Sequence, residues 1–308
     1  MKLDRRLVGL LLALSLLFAW RLMASDMAAR ATGSALDVID FGPLPGVLRE
    51  SSGIAVSRQH PGVFWSNNDS GDGPRVYALD SVATLLGTFE VAGARARDWE
   101  ALDLGPCPRE ADTSSEWCLY AADIGDNARR RSGIEIYVIP EPDPADPRGT
   151  ARALGAIRLT YPDVVFDAEA LAVTPEGGLV ISTKGHEREI YLFEVSASDA
   201  ARTLSSGEHL PLAPGRRLPF DSNWVVGRTV TGGAISPDGS VLALRTYNEV
   251  YFYSWPIDGA FREAAPTCFL GRLEPQGEAV SFLPGGRLLI SSESPGRAGH
   301  LLSVECAG

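Results

Sequence analysis

Lysine is nearly missing from this chain. Among 28 basic residues in 308, only Lys2 and Lys184 are lysine and the rest are arginine; the net charge is −11 and the pI about 4.9. That deficit of positive charge excludes nucleic acid and anionic membrane surfaces as partners, because both would repel the average field. An acidic balance also simply keeps a surface soluble. Neither Cys-x-x-Cys nor His-x-x-x-His spacing occurs among the four cysteines and four histidines, which excludes the usual zinc sites. No Gly-x-Ser-x-Gly elbow supports an acyl-enzyme route. The full EF-hand pattern is absent too; Asp69-Ser-Gly-Asp-Gly73 is half an acidic calcium loop and equally an ordinary Asx turn. After the N-terminal segment there is no long helical periodicity, no Gly/Ser linker and no break in composition, so the remaining chain reads as one all-β domain.

What is present is a repeat. Five stretches align: Glu50–Val56, Asp98–Leu104, Asp167–Val173, Thr229–Ile235 and Gln276–Phe282. Two columns in them carry side-chain oxygen without exception. The first is Glu50, Asp98, Asp167, Thr229 and Gln276; the second is Ser52, Glu100, Glu169, Thr231 and Glu278. Positions i and i+2 of a strand share a face, so each copy is expected to present an oxygen pair where a strand begins. A second strand, a polar turn and a third strand follow, the third with Tyr77, Tyr137, Tyr191 or Tyr251 in register and Leu302 in the last copy. Fourth strands are readable at Leu85–Val91 and Leu154–Leu159. Four short strands per unit, bounded by Gly, Pro, Asp and Asn, predict a β-propeller of five blades of four antiparallel strands.

The second-column residues are spaced by 48, 69, 62 and 47, and the long copies carry insertions at 140–148 and 211–228. An insertion hiding a blade would make six. The fifth copy has room for three strands, and the segment 35–41 is placed to complete it and close the ring.

Residues 1–29 read as an export signal or signal anchor, with residues 30–308 as the single propeller domain. Met1–Arg6 is a basic n-region and Leu7–Trp20 an apolar core, short for a membrane span. Small residues at 24, 25, 28 and 29 offer several cleavage sites, and no cysteine nearby suggests a lipoprotein. The expected location is periplasmic or extracellular, with membrane contact only through an uncleaved N-terminal segment. Two disulfides fit an oxidising compartment. Cys107 and Cys118 bracket a hairpin, and up-and-down order brings Cys268 and Cys306 to the same end of neighbouring blades; four cysteines allow three pairings, and sequence alone does not choose among them.

Propeller topology gathers the oxygen columns and the turns after the second strands around one mouth of the central channel. Those turns supply a second ring, Asp69, Asp123, Lys184, Arg245 and Glu293. Glu100, Glu169 and Glu278 are hard oxygen ligands suited to calcium, and without a cation they would raise one another's pKa. The alternative is pairing with Arg97, Arg245 or backbone amides. Lys184 is a compact positive charge and, with Arg245, would hold a small anionic ligand; an ion pair with Asp167 or Glu169 explains it equally well. His186, a candidate acid/base, reads more simply as a surface loop residue.

Asp98-Trp-Glu-Ala-Leu102, Ala122-Asp-Ile-Gly-Asp-Asn127, Asp167-Ala-Glu-Ala-Leu171, Ser182-Thr-Lys184, Leu244-Arg-Thr-Tyr247 and Gln276-Gly-Glu-Ala279 resemble motifs of exported bacterial β-propellers related to phytase-like and esterase-like propeller proteins. The resemblance covers nearly all of the chain after the N-terminal segment. It implies calcium at the channel and, in some relatives, phosphoester hydrolysis by metal-activated water, although the dense acidic phosphate site of a phytase is missing. Two functions follow as expectations. One is a ligand-binding or structural exported module whose calcium-bearing mouth takes a small anionic ligand or another exported protein; the other is a calcium-dependent hydrolase of an anionic phosphate ester or lactone. Fold alone does not choose between them.

Overall fold

The computed structural model describes residues 36–306 apart from 110, 147–148, 187, 272 and 294–297. The expected signal segment lies outside the described residues. Each blade is a mostly antiparallel sheet whose first strand is innermost. These inner strands are Ser51–Val56, Trp99–Pro106, Ala168–Val173, Val230–Ile235 and Gln276–Phe282. They neighbour one another in cyclic order, the fifth packing back on the first, so the ring has five blades rather than six.

Each inner strand is almost wholly buried, which explains why small residues recur in them. A Cβ on Gly53 would lie 2.2 Å from the backbone nitrogen of Leu102 in the next blade. One on Gly232 would come within 2.5 Å of the Glu278 carbonyl. Neighbouring inner strands therefore approach to a distance that only glycine allows at these points. Outside the inner ring, apolar clusters fill each junction between blades. Trp65 and Phe89 meet Trp99 and Tyr137 between blades one and two, and Phe252 meets Ile290 and Val304 between blades four and five.

Leu36–Pro43 pairs antiparallel with His300–Cys306 and supplies the fourth strand of the last blade, as the repeat count requires. The ring is thus closed by hydrogen bonds between the two ends of the domain. Cys268–Cys306 joins the outer strand of blade four to the third strand of blade five, and Cys107–Cys118 staples the hairpin of blade two. Both pairs match the expected bonds.

The in-register tyrosines have a shared role on the outer half of the blades. Tyr137, Tyr191 and Tyr251 each donate to a carboxylate two residues earlier (Glu135, Glu189 and Glu249, at 2.9, 2.6 and 2.7 Å), and Tyr77 donates to Asp72 at 2.5 Å. Each of those carboxylates also pairs with an arginine, respectively Arg158, Arg217, Arg228 and Arg75. Blade five, with Leu302 in that register, lacks the tyrosine.

The long copies also hold elements outside the four-strand repeat, two added strands and a helix. Thr150–Arg152 adds a parallel fifth strand to blade one, and His209–Pro211 adds one to blade two, covering edges that would otherwise be open. Between them, Ala197–Ser206 forms a helix, capped by Ser196 at its start and by Gly207, with φ +68°, at its end. At ten residues it is too short for its periodicity to stand out from the strands around it.

Candidate functional site at the channel mouth

The second oxygen column is built by a repeated irregularity. In every blade the register between the first two strands slips at that residue. The pairs Ser51–Asn68 and Gly53–Asn67 leave Ser52 unpaired, and the same happens at Glu100, Glu169, Thr231 and Glu278. A bulge breaks the alternation of a strand and re-aims one side chain. Here it occurs at the start of all five inner strands, and all five bulged residues are buried.

These side chains do not behave as one ring. Ser52 Oγ donates to the Glu100 carbonyl at 2.6 Å and reaches its Oε2 at 3.2 Å. Thr231 Oγ1 donates to the backbone carbonyls of Gly277, at 2.9 Å, and Glu278, at 3.1 Å. Glu278 Oε1 accepts from Gln276 Nε2 at 2.8 Å, and the same amide donates to Glu293 at 2.6 Å. Glu169 is paired with Lys184 in a buried ion pair. The three glutamates expected to share a cation are therefore divided: Glu100 faces blade one, Glu169 takes the lysine, and Glu278 lies with Gln276 and Glu293.

Carboxylate oxygens of Asp69, Asp98 and Glu100 do converge, all within 4.8 Å of one another. Oxygens at about 2.3–2.6 Å from a common calcium ion lie at such separations. A Cβ on Gly125 would sit 2.5 Å from both Asp98 and Glu100, so the turn after the second strand of blade two leaves room for the carboxylates only because it carries glycine there. Their charges are mutually unfavourable. Burial, then Asp69 and Asp167, pushes Asp98 up to about 6. Glu100 is raised well above the ordinary range by burial and by Glu169, Asp69 and Asp98. Burial also raises Asp69 and Glu169, and it raises Glu278 strongly. Glu293 is pushed up to about 7 by burial and by Asp69 and Glu50. Lys184 is shifted up instead, because the attraction of Glu169 and other mouth groups outweighs its burial.

Two members of the expected second ring are occupied elsewhere. Arg245 is 0 % exposed; its guanidinium pairs with Glu274 and donates to the carbonyls of Ala279 at 2.5 Å and Ser291 at 3.0 Å. It also lies across Gly277, where a Cβ would strike it. Its bonds join blades four and five. Asp123 is equally buried, accepting from Arg131 at 2.6 Å and from the amides of Asp98 and Arg97 at 3.2 and 3.3 Å. It fixes the turn that carries Asp98.

The mouth also brings together His186 and the first-column Asp167, and adds Trp224, which the repeat did not reveal. His186 Nε2 lies 2.7 Å from Asp167 Oδ2, and Asp167 Oδ1 accepts the Asp126 amide at 2.6 Å. Trp224, in the insertion of blade three, is 49 % exposed; its ring lies 5.7 Å from the Lys184 ammonium, 5.7 Å from the His186 ring and 6.4 Å from Tyr247. Asn223 caps the turn that presents it, and Asn248 holds the Val226 carbonyl at 2.8 Å. An Asn…Gly pair around Trp-Val-Val is the local signal for such a turn, but nothing in the sequence says that it reaches the mouth. Beside His186 opens a cleft of about 690 Å³ lined by Phe166, Asp167, Gly185 and Tyr191.

The geometry defines a five-bladed β-propeller with an acidic channel mouth. No family model and no curated protein matches the sequence. Among solved structures, a luciferin-regenerating enzyme is similar at 11% identity over 90% of this chain and 96% of that one, with a TM-score of 0.50. The soluble aldose sugar dehydrogenase of Escherichia coli in its apo form is similar at 12% identity, over 88% and 99%, with a TM-score of 0.50. A gluconolactonase from Xanthomonas campestris gives 14%, 91% and 93%, with a TM-score of 0.47. At such identities the likeness is one of fold. Among the described residues no helix is long and apolar enough to cross a membrane.

Proposed function

We propose that the channel mouth is a calcium-type cation centre and that the protein is an exported ligand-binding propeller of the phytase-like and esterase-like group. The observation that carries this reading is the excess of buried and half-buried carboxylate over positive charge. Asp69, Asp98, Glu100, Asp167, Glu169, Glu278 and Glu293 act on one another, and the lysine among them is already paired. A hard divalent cation held by Asp69, Asp98 and Glu100 relieves that repulsion and suits an all-oxygen donor set. The two disulfides agree with an oxidising, exported setting. Trp224 gives the mouth an apolar face for the ligand.

The second reading, hydrolysis of a phosphate ester or lactone, draws on the His186–Asp167 pair beside the mouth. Lys184 as an anion contact is weaker support, since Glu169 neutralises it. Arg245 contributes nothing to it from a fully buried position.

Calcium titration followed by calorimetry and thermal unfolding tests the centre. A cation that binds only the folded state adds about 2.7 kcal/mol at a hundredfold excess over its Kd. Calcium is expected to raise Tm in the wild type and to lose most of that effect in Asp98→Asn, with Glu169→Gln much less affected. An unchanged Tm with calcium or chelator would end the cation reading.

A further inference from the structure

A histidine held by a buried carboxylate at the wall of a sizeable cleft is a catalytic arrangement in its own right. Asp167 accepts the Asp126 amide on one oxygen and faces His186 Nε2 with the other. Nothing but a donor satisfies that second contact when the carboxylate is ionised, so Nε2 carries a proton, and in the neutral imidazole Nδ1 carries the lone pair. Gly185, with φ +89°, sets the turn that brings the imidazole there, and a Cβ on it would strike Ile190 and Ser222 at 2.7 Å. The ring is thus positioned on both sides, by its backbone and by its hydrogen bond.

The cleft also indicates what it would accept. Phe166 and Tyr191, ring centres 5.4 Å apart, give it an aromatic wall, and Val164 beside them is exposed. Among the described residues its charged groups are Asp163, Asp167 and Glu189 against Arg129, and the acidic mouth adjoins it. An anionic substrate would enter against that field, whereas an uncharged one with an apolar body would not.

We propose that this cleft is a hydrolytic site for neutral carboxylic esters or lactones, with His186 as general base and Asp167 as its positioning residue. Water gives a proton to His186 Nδ1 as its oxygen bonds to the carbonyl carbon. The bond from that carbon to the alkoxy oxygen then breaks, and the proton returns from Nδ1 to the departing alkoxide; the products are a carboxylic acid and an alcohol. The proposal rests on the second reading above, which draws on the same His186–Asp167 pair; the step runs through His186 alone, so it stands or falls separately from the cation centre that the cleft adjoins.

The test uses the purified protein with 4-nitrophenyl butyrate and δ-valerolactone as neutral probes and 4-nitrophenyl phosphate as the anionic one. The neutral probes are expected to be turned over and the phosphate not, with or without EDTA. His186→Gln should lower kcat by about 100-fold or more, the range of a lost general base. Added imidazole should restore activity to His186→Ala, which a folding defect would not allow. Asp167→Asn should lower kcat at unchanged KM, and His209→Gln, on the added edge strand of blade two and outside the cleft lining, should match wild type. Absence of turnover of both neutral probes by folded wild type, wild-type activity in His186→Gln, or turnover confined to the phosphate would overturn the proposal. Loss of activity in EDTA together with retention in His186→Gln would overturn it while leaving the cation centre standing. Conversely, a His186-dependent esterase whose Tm ignores calcium would uphold it without the cation.

Discussion

Ser52 and Glu100 occupy the same bulge in adjacent blades, and the hydroxyl of the first donates to the backbone carbonyl of the second at 2.6 Å. Thr231 makes the equivalent bond to Glu278, at 3.1 Å. A bulge frees a carbonyl from its ladder, and the hydroxyl one blade earlier satisfies it. Oxygen in the second column therefore has two uses: hydroxyls tie one blade to the next, while the glutamates take side-chain partners at the mouth, Ser52, Lys184 and Gln276.

Replacing Ser52 by Ala removes that donor and leaves a buried carbonyl with one partner fewer. The expected loss is about 1–3 kcal/mol of unfolding free energy. Ser52→Thr should retain most of it. Urea denaturation of the metal-free protein measures both, and equal stability of all three proteins would show that the bond does not hold the ring.

Glu293 supplies a pH dependence whose sign is fixed. Its carboxyl rises from an ordinary 4.5 to about 7 on folding, through burial, Asp69 and Glu50. The folded state then holds a proton that the unfolded chain releases earlier, so this group's stabilising contribution is complete below about 4.5 and is lost as pH rises through about 7. In EDTA, Tm should therefore fall across that window on account of Glu293. Glu293→Gln keeps an acceptor for Gln276 and should flatten the slope, raising Tm at pH 8. A slope identical in the two proteins would mean that Glu293 titrates normally.

The ring itself was legible because propeller blades repeat in sequence what they repeat in space. The oxygen columns, the tyrosine register and the closing strand at Leu36–Pro43 all follow from aligning the copies. What the side chains of the mouth do was less legible, because alternation assumes a regular strand. The bulges at Ser52, Glu100, Glu169, Thr231 and Glu278 break it, and a bulge has no residue signature of its own. Arg245 was misleading for a related reason: its turn aligns with that of Lys184, but the partner that fixes it, Glu274, lies before the repeat of the next blade. Trp224 reaches the mouth from an insertion, which by definition has no counterpart to align.

The Cys268–Cys306 bond closes a loop of 38 residues and Cys107–Cys118 one of 11. On the chain-entropy account the longer is worth about 4 kcal/mol and the shorter about 3 kcal/mol. Cys268→Ser with Cys306→Ser should accordingly lower stability more than the other double replacement. It should also loosen the closing strand first, because Cys306 sits on the strand that pairs with Leu36–Pro43. Hydrogen exchange of the amides of residues 36–43 would register that loosening; unchanged protection there would place the benefit of the bond in the unfolded chain alone.

Arg245 and Glu274 form the most buried ion pair of the described residues, with side-chain exposures of 0 % and 2 %. Removing one charge from such a pair strands the other in a medium that cannot solvate it, so Arg245→Met should destabilise by about 3–5 kcal/mol. The loss has two sources, since the guanidinium also holds the carbonyls of Ala279 and Ser291. Glu274→Gln removes the stranded charge but not the carbonyls' need for donors. In the double variant Arg245→Met with Glu274→Gln, the part of the loss due to the unpaired carboxylate should return, leaving about 1–3 kcal/mol for the unsatisfied carbonyls. A double-mutant cycle in urea separates the two. If Arg245→Met alone were nearly neutral, or if it weakened ligand binding without affecting stability, the residue would belong to the mouth and not to the seam between blades four and five.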